Sequence, residues 1–375
     1  MARTAREDLI AQASQAVRKQ FKDGISERGN KALELPSVFL STGSLSLDRI
    51  ASGRNPGGIP IGPSQGRVVH IAGEWSTGKS LILDHLFLSC QGMGGLNLVS
   101  ETEGTRDPHF AQAIGLNLKL LEVQRPDTLE ELFDMALAWH ASIRKTDETI
   151  PICWGIDSLD STEAEKSASK GLSESGGWHF GGGRSEALAA GLRKVVKITS
   201  RYPTTLVMLN QTRDNVGVFF GPKKRTPGGN PPHFYSSLEL MLSNSPLGVV
   251  RSESRMPALG QQQLQRLGLQ GADKGFVTGR WVRAKVNKTK IAPTLQQEAD
   301  FYIDFRKGIH QWGGLLQSML REGKVELTPD SKGVRHKLKF ANDEETIEEF
   351  PTTAAWMTWL NKNPLTLGEP AYAGE

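Results

Sequence analysis

Disulfides are the first thing this 375-residue chain cannot be built on. Its two cysteines, Cys90 and Cys153, are too few for a covalent framework and read as small buried hydrophobes in a reducing compartment. Long apolar runs are missing as well. None reaches the ~18 residues that a membrane helix needs, so no membrane partner is expected. The opening stretch MARTAREDLIAQASQAVRKQF carries charges throughout and has no continuous apolar core, so it is not read as a secretory signal and the cytoplasm is expected. There is no internal repeat, and the net charge is only +4. A hydrophobic content of 38% and a charged content of 23% are those of an ordinary globular protein, which excludes the disordered and fibrous classes. Such a length holds one large α/β domain with a smaller appendage.

The charge that is present is unevenly placed. Residues 184–225 hold nine basic residues against Glu186 and Asp214, a local +7. That is the footprint of a polyanion site or, more blandly, a solvated helix face. Residues 4–22 set Leu9, Ile10, Ala13, Ala16, Val17 and Phe21 at helical spacing, which predicts an amphipathic helix that docks on its own core or on a neighbouring chain. Near-continuous apolar runs then predict strands at 67–73, 96–100, 151–157 and 204–210, with helices at 79–91, 127–145 and 184–201 between them. That alternation implies a parallel sheet covered on both faces. Residues 252–275 are polar and Gln-rich and read as a loop or insertion. After Gly308 the pattern changes to short helices around Trp312, Leu315, Met319 and Trp356.

Gly73-Glu74-Trp75-Ser76-Thr77-Gly78-Lys79-Ser80 fits the phosphate-binding pattern G-x-x-x-x-G-K-[ST], with a strand before it and a helix after it. Glycines let backbone N–H groups approach a phosphate, and the helix start offers its positive end. Lys79 would neutralise the terminal phosphates of ATP, and the Ser80 hydroxyl would ligate Mg²⁺. Asp157 ends an apolar strand, expected beside the P-loop strand, and is the second metal-holding candidate. Water activation needs a further group. Glu101 and Glu103 both follow the strand at 96–100, and the chemistry of the residues does not choose between them.

The wider pattern resembles the RecA family of recombinases. STGSLSLDRI (41–50), the P-loop, ETEGTRDPHFAQAIGL (101–116), IDSLDS (156–161), LNQTR (209–213), VGVFFG (216–221), PGGN (227–230) and VNKTKIAP (286–293) follow in the family's order and spacing. The resemblance implies a RecA-like P-loop ATPase core with a mostly parallel central sheet covered by helices. It divides the chain into an N-terminal oligomerisation helix and linker (1–33), the core with its DNA loops (34–307) and a small C-terminal α+β domain (308–375). It selects Glu103 as the catalytic glutamate, because Asp107-Pro108 fixes the register. Asp107 would face the adenine edge and Phe110 the adenine ring. Gln211 takes the place of the sensor that reports ATP to the DNA loop. Lys288 and Lys290 match a lysine pair that reaches a neighbour's ATP, where the residues alone would read as exposed edge charges.

The same resemblance implies single-stranded DNA and homologous double-stranded DNA as partners, with self-assembly into a helical filament in a bacterial or phage-infected cell. The DNA-binding candidates are Trp178 in a first loop at 172–183, Arg193 and Lys194 on the following helix, and a second loop at 212–230. That loop carries Arg213, Asn215, Val216, Phe219, Phe220, Lys223, Lys224, Arg225, Gly228, Gly229 and Asn230. Its phenylalanines read as wedges between bases or as core residues, and its glycines as phosphate contacts. Glu186 and Ala189 depart from the family's DNA-contacting positions, which leaves Arg184 or the 223–225 cluster to compensate. Competing readings are a ring-forming motor on the same fold and a mediator that scarcely hydrolyses ATP.

Overall fold

The structure, a computed structural model, describes residues 5–20, 38–54, 57–62, 66–104, 106–165, 182–214, 224–227, 229–251, 277–291, 297–315, 325–330, 333–338 and 349–350. The chain divides into two units, Met1–Ser37 and Val38–Glu375. In the first, α1 (Ala5–Gln20) forms where the 3.6-residue spacing predicts it, with Leu9 and Ile10 exposed.

The second unit opens with β1 (Phe39–Leu40), α2 (Leu45–Ser52) and β2 (Ile59–Pro60). The P-loop strand β3 (Val68–Gly73) leads into α3 (Lys79–Gly92), then β4 (Leu96–Glu101), α4 (Pro108–Ala113), β5 (Leu121–Gln124), α5 (Leu129–Thr146) and β6 (Ile152–Asp157). Next come α6 (Gly182–Thr199), β7 (Thr204–Gln211), β8 (Arg213–Asp214), β9 (Lys224–Arg225) and α7 (Pro231–Tyr235). The remaining strands are β10 (Leu238–Arg251), β11 (Val277–Thr289), β12 (Glu298–Asp304), β13 (Gly308–Ile309), β14 (Val325–Asp330), β15 (Gly333–Leu338) and β16 (Glu349–Phe350).

One nine-stranded sheet, in the order β13-β12-β11-β10-β3-β7-β6-β4-β5, organises the unit. The six strands from β10 to β5 are parallel, and β11, β12 and β13 extend them antiparallel. Strands β3 and β6 are buried along their whole length because helices cover both faces. Alternate residues feed two cores. Val69, Ile71, Val207 and Leu209 join Ile82, Leu86 and Phe87 of α3 on one face. Leu206, Met208, Trp154 and Ile156 join Leu132 and Phe133 of α5 and Leu188 and Leu192 of α6 on the other. Gly155 lets α3 come close to β6: a Cβ there would lie 2.5 Å from Leu83 Cδ2.

One sequence reading changes. β7 lies between β3 and β6, so the Asp157 strand is not beside the P-loop strand. Of the short helices expected after Gly308, Leu315 is helical and most of the rest lies outside the described residues. Gly308–Ile309 pairs with β12 in the main sheet, and β14, β15 and β16 form a separate antiparallel sheet. The reason is visible in VELTPD and GVRHKL, where apolar and polar residues alternate with the period of a strand. Residues 252–275 fall outside the described residues, but the strands flanking them pair as a hairpin whose last partners are Arg251 and Val277.

Candidate active site

The P-loop turns at the carboxyl end of β3. Ser76 has φ +57° and Gly78, which caps α3, has φ +79°. A side chain at Gly78 would be strained and would meet Ile303 Cδ1 at 2.4 Å, so both the turn and its neighbour require glycine. Gly73 is pressed equally closely, its absent Cβ 2.7 Å from Leu242 Cβ. The loop is tied down from outside: Thr77 Oγ1 donates to Glu74 O at 2.8 Å, Asn244 Nδ2 to Glu74 Oε2 at 2.9 Å, and Arg280 to Ser76 O at 2.6 Å. Trp75, at its crest, is 79% exposed. The Lys79 ammonium donates to the carbonyls of Gly73 (3.2 Å) and Glu74 (2.7 Å). Burial lowers its pKa from the ordinary lysine value, against the opposing pull of Asp157, Asp160 and Glu103.

Facing it across β7, Asp157 ends β6. Burial raises the Asp157 pKa, countered by Ser80 and Arg106. The structure separates the two glutamates that the residue types left open. Glu101 is 4% exposed and pairs with Arg106 at 3.4 Å. Glu103 is exposed in the turn after β4, and its Oε1 accepts from Ser158 Oγ, from Ser161 Oγ at 3.1 Å and from Gln211 Nε2 at 3.4 Å. Gln211 arrives from the end of β7, whose following Thr212 donates its N–H to Gly73 O at 3.1 Å. Lys79, Ser80, Asp157, Glu103 and Gln211 therefore gather at one end of the parallel strands, from four different elements. A hydroxyl and a carboxylate beside a half-buried ammonium form a hard-oxygen set that suits Mg²⁺ and a nucleotide phosphate.

Next to this cluster a cavity of about 370 Å³ is lined by Ser76, Gly78, Leu81, Phe110, Arg280, Ile303 and Phe305. Phe110 thus sits where its expected partner ring would enter. Asp107 is engaged locally: its Oδ1 caps α4 by accepting from the N–H groups of His109 (2.8 Å) and Phe110 (3.3 Å). Phe305 and Arg280 escaped the sequence reading, being 195 and 170 residues from Phe110 and carrying no motif of their own.

Lys288 and Lys290 are not brought to this cluster. Lys288 pairs in register with Glu239, which in turn pairs with His70, three residues before Gly73. At ~3.3 Å per residue this sets the lysines roughly 10 Å or more back along the sheet from the P-loop. Lys288 Nζ donates to the carbonyls of His233 and of Phe234 (3.2 Å). Burial, then Lys290, lowers its pKa. Beneath it, burial works to raise the Glu239 carboxyl, but the His70 imidazole 3.6 Å away and the hydrogen-bonded His233 ring outweigh this and hold it at about 2. His70 also neighbours Asn210, whose Nδ2 donates to Pro227 O at 2.8 Å.

Of the DNA candidates, Arg193 and Lys194 are exposed on α6, where Lys194 pairs with Asp134 at 3.5 Å. β8 and β9 bring Arg213 opposite Arg225 directly after Gln211, so the base of the second loop is stitched to the cluster. Gly229 has φ +69° and approaches Ser185 of α6. Asn230 precedes α7, on which Phe234 is 68% exposed. Trp178, Asn215, Val216, Phe219, Phe220, Lys223 and Gly228 lie outside the described residues. Arg184 donates from its guanidinium to the carbonyls of Leu159 and Asp160.

Comparison with known proteins adds a family. The RecA N-terminal domain family matches residues 8–258. Protein RecA of Rubrobacter xylanophilus is 30% identical over 320 residues, covering 85% of this chain and 80% of that protein. Protein RecA of Heliobacterium modesticaldum is 30% identical over 350 residues, 92% of this chain and 89% of its own. That of Symbiobacterium thermophilum is 31% identical over 315 residues, with 83% and 78% covered.

Proposed function

Because the chain belongs to the RecA family, we propose that it is an ATP-driven recombinase that assembles on single-stranded DNA and pairs it with a homologous duplex. The observation that carries this reading is the junction at Gln211. That one residue bonds the Glu103 carboxylate on one side and opens the β8–β9 base of the DNA loop on the other.

In this reading the P-loop amides and Lys79 hold the phosphates of ATP, while Phe110 and Phe305 flank the base. Ser80 and Asp157 would hold Mg²⁺, which when bound neutralises phosphate charge. Glu103 accepts the proton of the attacking water, and its bonds to Ser158, Ser161 and Gln211 aim it. Gln211 exchanges its Glu103 contact for the terminal phosphate and so reports ATP to residues 212–230. The exposed Leu9 and Ile10 of α1 dock on a neighbouring protomer, and Lys288 and Lys290 reach that neighbour's ATP as cationic fingers. Phosphate contacts from the basic loop and α6 would make DNA binding salt-dependent.

Electron microscopy of the purified protein with single-stranded DNA and a non-hydrolysable ATP analogue tests the assembly. Extended helical filaments that need both ligands are the expected result. Closed rings would replace the recombinase with a motor on the same fold.

A further inference from the structure

We propose that Arg106 is a positioning residue for hydrolysis in this chain, a buried cation that closes the Glu103 turn and steadies the Asp157 carboxylate. The inference rests on the reading of Glu103 as base and Asp157 as metal ligand.

Arg106 follows β4 by five residues and is buried to 12% side-chain exposure. Its three nitrogens are spent on three carboxylates from three elements. Nε pairs with Glu101 of β4 at 3.4 Å, one terminal nitrogen with Asp84 of α3, and the other with Asp157 Oδ2 of β6 at 3.4 Å. Its guanidinium carbon lies 5.7 Å from the centre of the Phe87 ring. A planar fork can bridge three acceptors in this way, whereas the compact ammonium of lysine cannot.

The position of this fork gives it more than a packing role. Glu101 and Arg106 are the two ends of the turn that carries Glu103, and their ion pair closes it. Inside the turn, Thr102 N–H donates to Asp157 O at 3.0 Å, Thr102 Oγ1 to Ser158 O at 2.8 Å, and Ser158 N–H to Thr102 Oγ1 at 3.0 Å. Glu103 is thus suspended between an ion pair and a backbone clasp, both anchored at Asp157. Without Arg106, Glu101, Asp84 and Asp157 would face one another as buried anions with no cation between them, and both the turn and the metal-side carboxylate would move. Misplacement on the ångström scale costs up to about a hundredfold in rate.

The test removes both members of the tightest pair, Arg106→Leu with Asp84→Leu, so that no charge of that pair is stranded. Glu103→Gln and Arg106→Lys are made in parallel. Two quantities are followed: DNA-stimulated ATP turnover, and the Mg²⁺ concentration needed for half-maximal binding of a fluorescent ADP. The expected result is a folded double variant that still binds the nucleotide at saturating Mg²⁺, with turnover down about tenfold or more and the Mg²⁺ requirement up about threefold. Arg106→Lys recovers the fold but less than half of the turnover. A double variant with parental turnover and parental Mg²⁺ requirement would overturn the proposal. Should the double variant not fold, Arg106→Lys decides: reduced turnover in a folded protein supports the positioning role, and full turnover refutes it. If Glu103→Gln itself turns over ATP like the parent, the base assignment fails. If only Glu103→Gln is impaired, the positioning role alone fails.

Discussion

The two ends of the central sheet are built on opposite terms. At the carboxyl ends of the parallel strands, a lysine, a serine and four carboxylates (Asp84, Glu101, Glu103 and Asp157) converge with Gln211 and Arg106, and the carboxylates are tied by ion pairs and hydrogen bonds within the chain. At the other end, Lys288 bonds the carbonyls of α7, Lys290 is exposed, and Phe234, whose carbonyl Lys288 bonds, is exposed as well. The first end gathers the residues proposed to bind and hydrolyse ATP. The second holds lysines set back along the sheet from the P-loop of their own chain. The contrast teaches that one sheet can keep two groups of cations apart, as the proposed completion of the site between copies requires.

The strongest test of that contrast is a mixing experiment. Lys79→Ala and Lys288→Ala should each lower DNA-stimulated turnover by roughly a thousandfold. Mixed one to one, they should recover about one quarter of parental turnover, because random head-to-tail assembly joins an intact P-loop to an intact lysine at one interface in four. No recovery would mean that Lys288 serves its own protomer. A smaller effect sharpens the carboxyl end. Gly155→Ala drives a methyl into Leu83 where α3 crosses β6, two residues before Asp157. It should cost about 1–3 kcal/mol in denaturant unfolding, whereas Gly92→Ala, with open space around it, should be nearly neutral.

The smallest effect is a difference in pH response. Burial, opposed by Arg106, raises the Asp84 carboxyl to about 6 from 3.8. A carboxyl raised on folding binds more protons folded than unfolded, so this end loses stability as pH rises from about 4 to 6. Glu239, depressed to about 2 from 4.5, does the reverse: its contribution is present above 4.5 and fades as pH falls towards 2. Thermal unfolding should show Asp84→Asn flattening the slope between pH 4 and 6, and Glu239→Gln flattening it only below about 4.5, each on the order of 1 kcal/mol. A common window for both variants would break the comparison.

Legibility in the sequence follows the same division. β3, β4, β6 and β7 were predicted to within a residue or two because strands buried on both faces read as unbroken apolar runs. The antiparallel strands from β10 to β13 were not, because their outer parts alternate with exposed polar residues and the two arms of the β10–β11 hairpin are separated by 25 residues. The P-loop and Asp157 stand in local motifs, Glu103 and Gln211 were singled out by the resemblance, and the structure brings these residues together. Arg106 is a lone basic residue in a polar turn. Its partners Asp84 and Asp157 are 22 and 51 positions away, so nothing nearby announces it. The place of β7 between β3 and β6 was missed for a related reason, since strand order is settled by crossovers and not by runs of side chains.

The β10–β11 hairpin has a practical consequence. Its ladder runs from Leu238↔Thr289 out to Arg251↔Val277, with three register shifts on the way, before residues 252–276 intervene. A segment that leaves and re-enters a ribbon at paired residues transmits no shift to the sheet, and doubling its length costs only about 0.6 kcal/mol of closure entropy. A fluorescent reporter or affinity handle inserted between Arg251 and Val277 is expected to leave the P-loop cluster undisturbed.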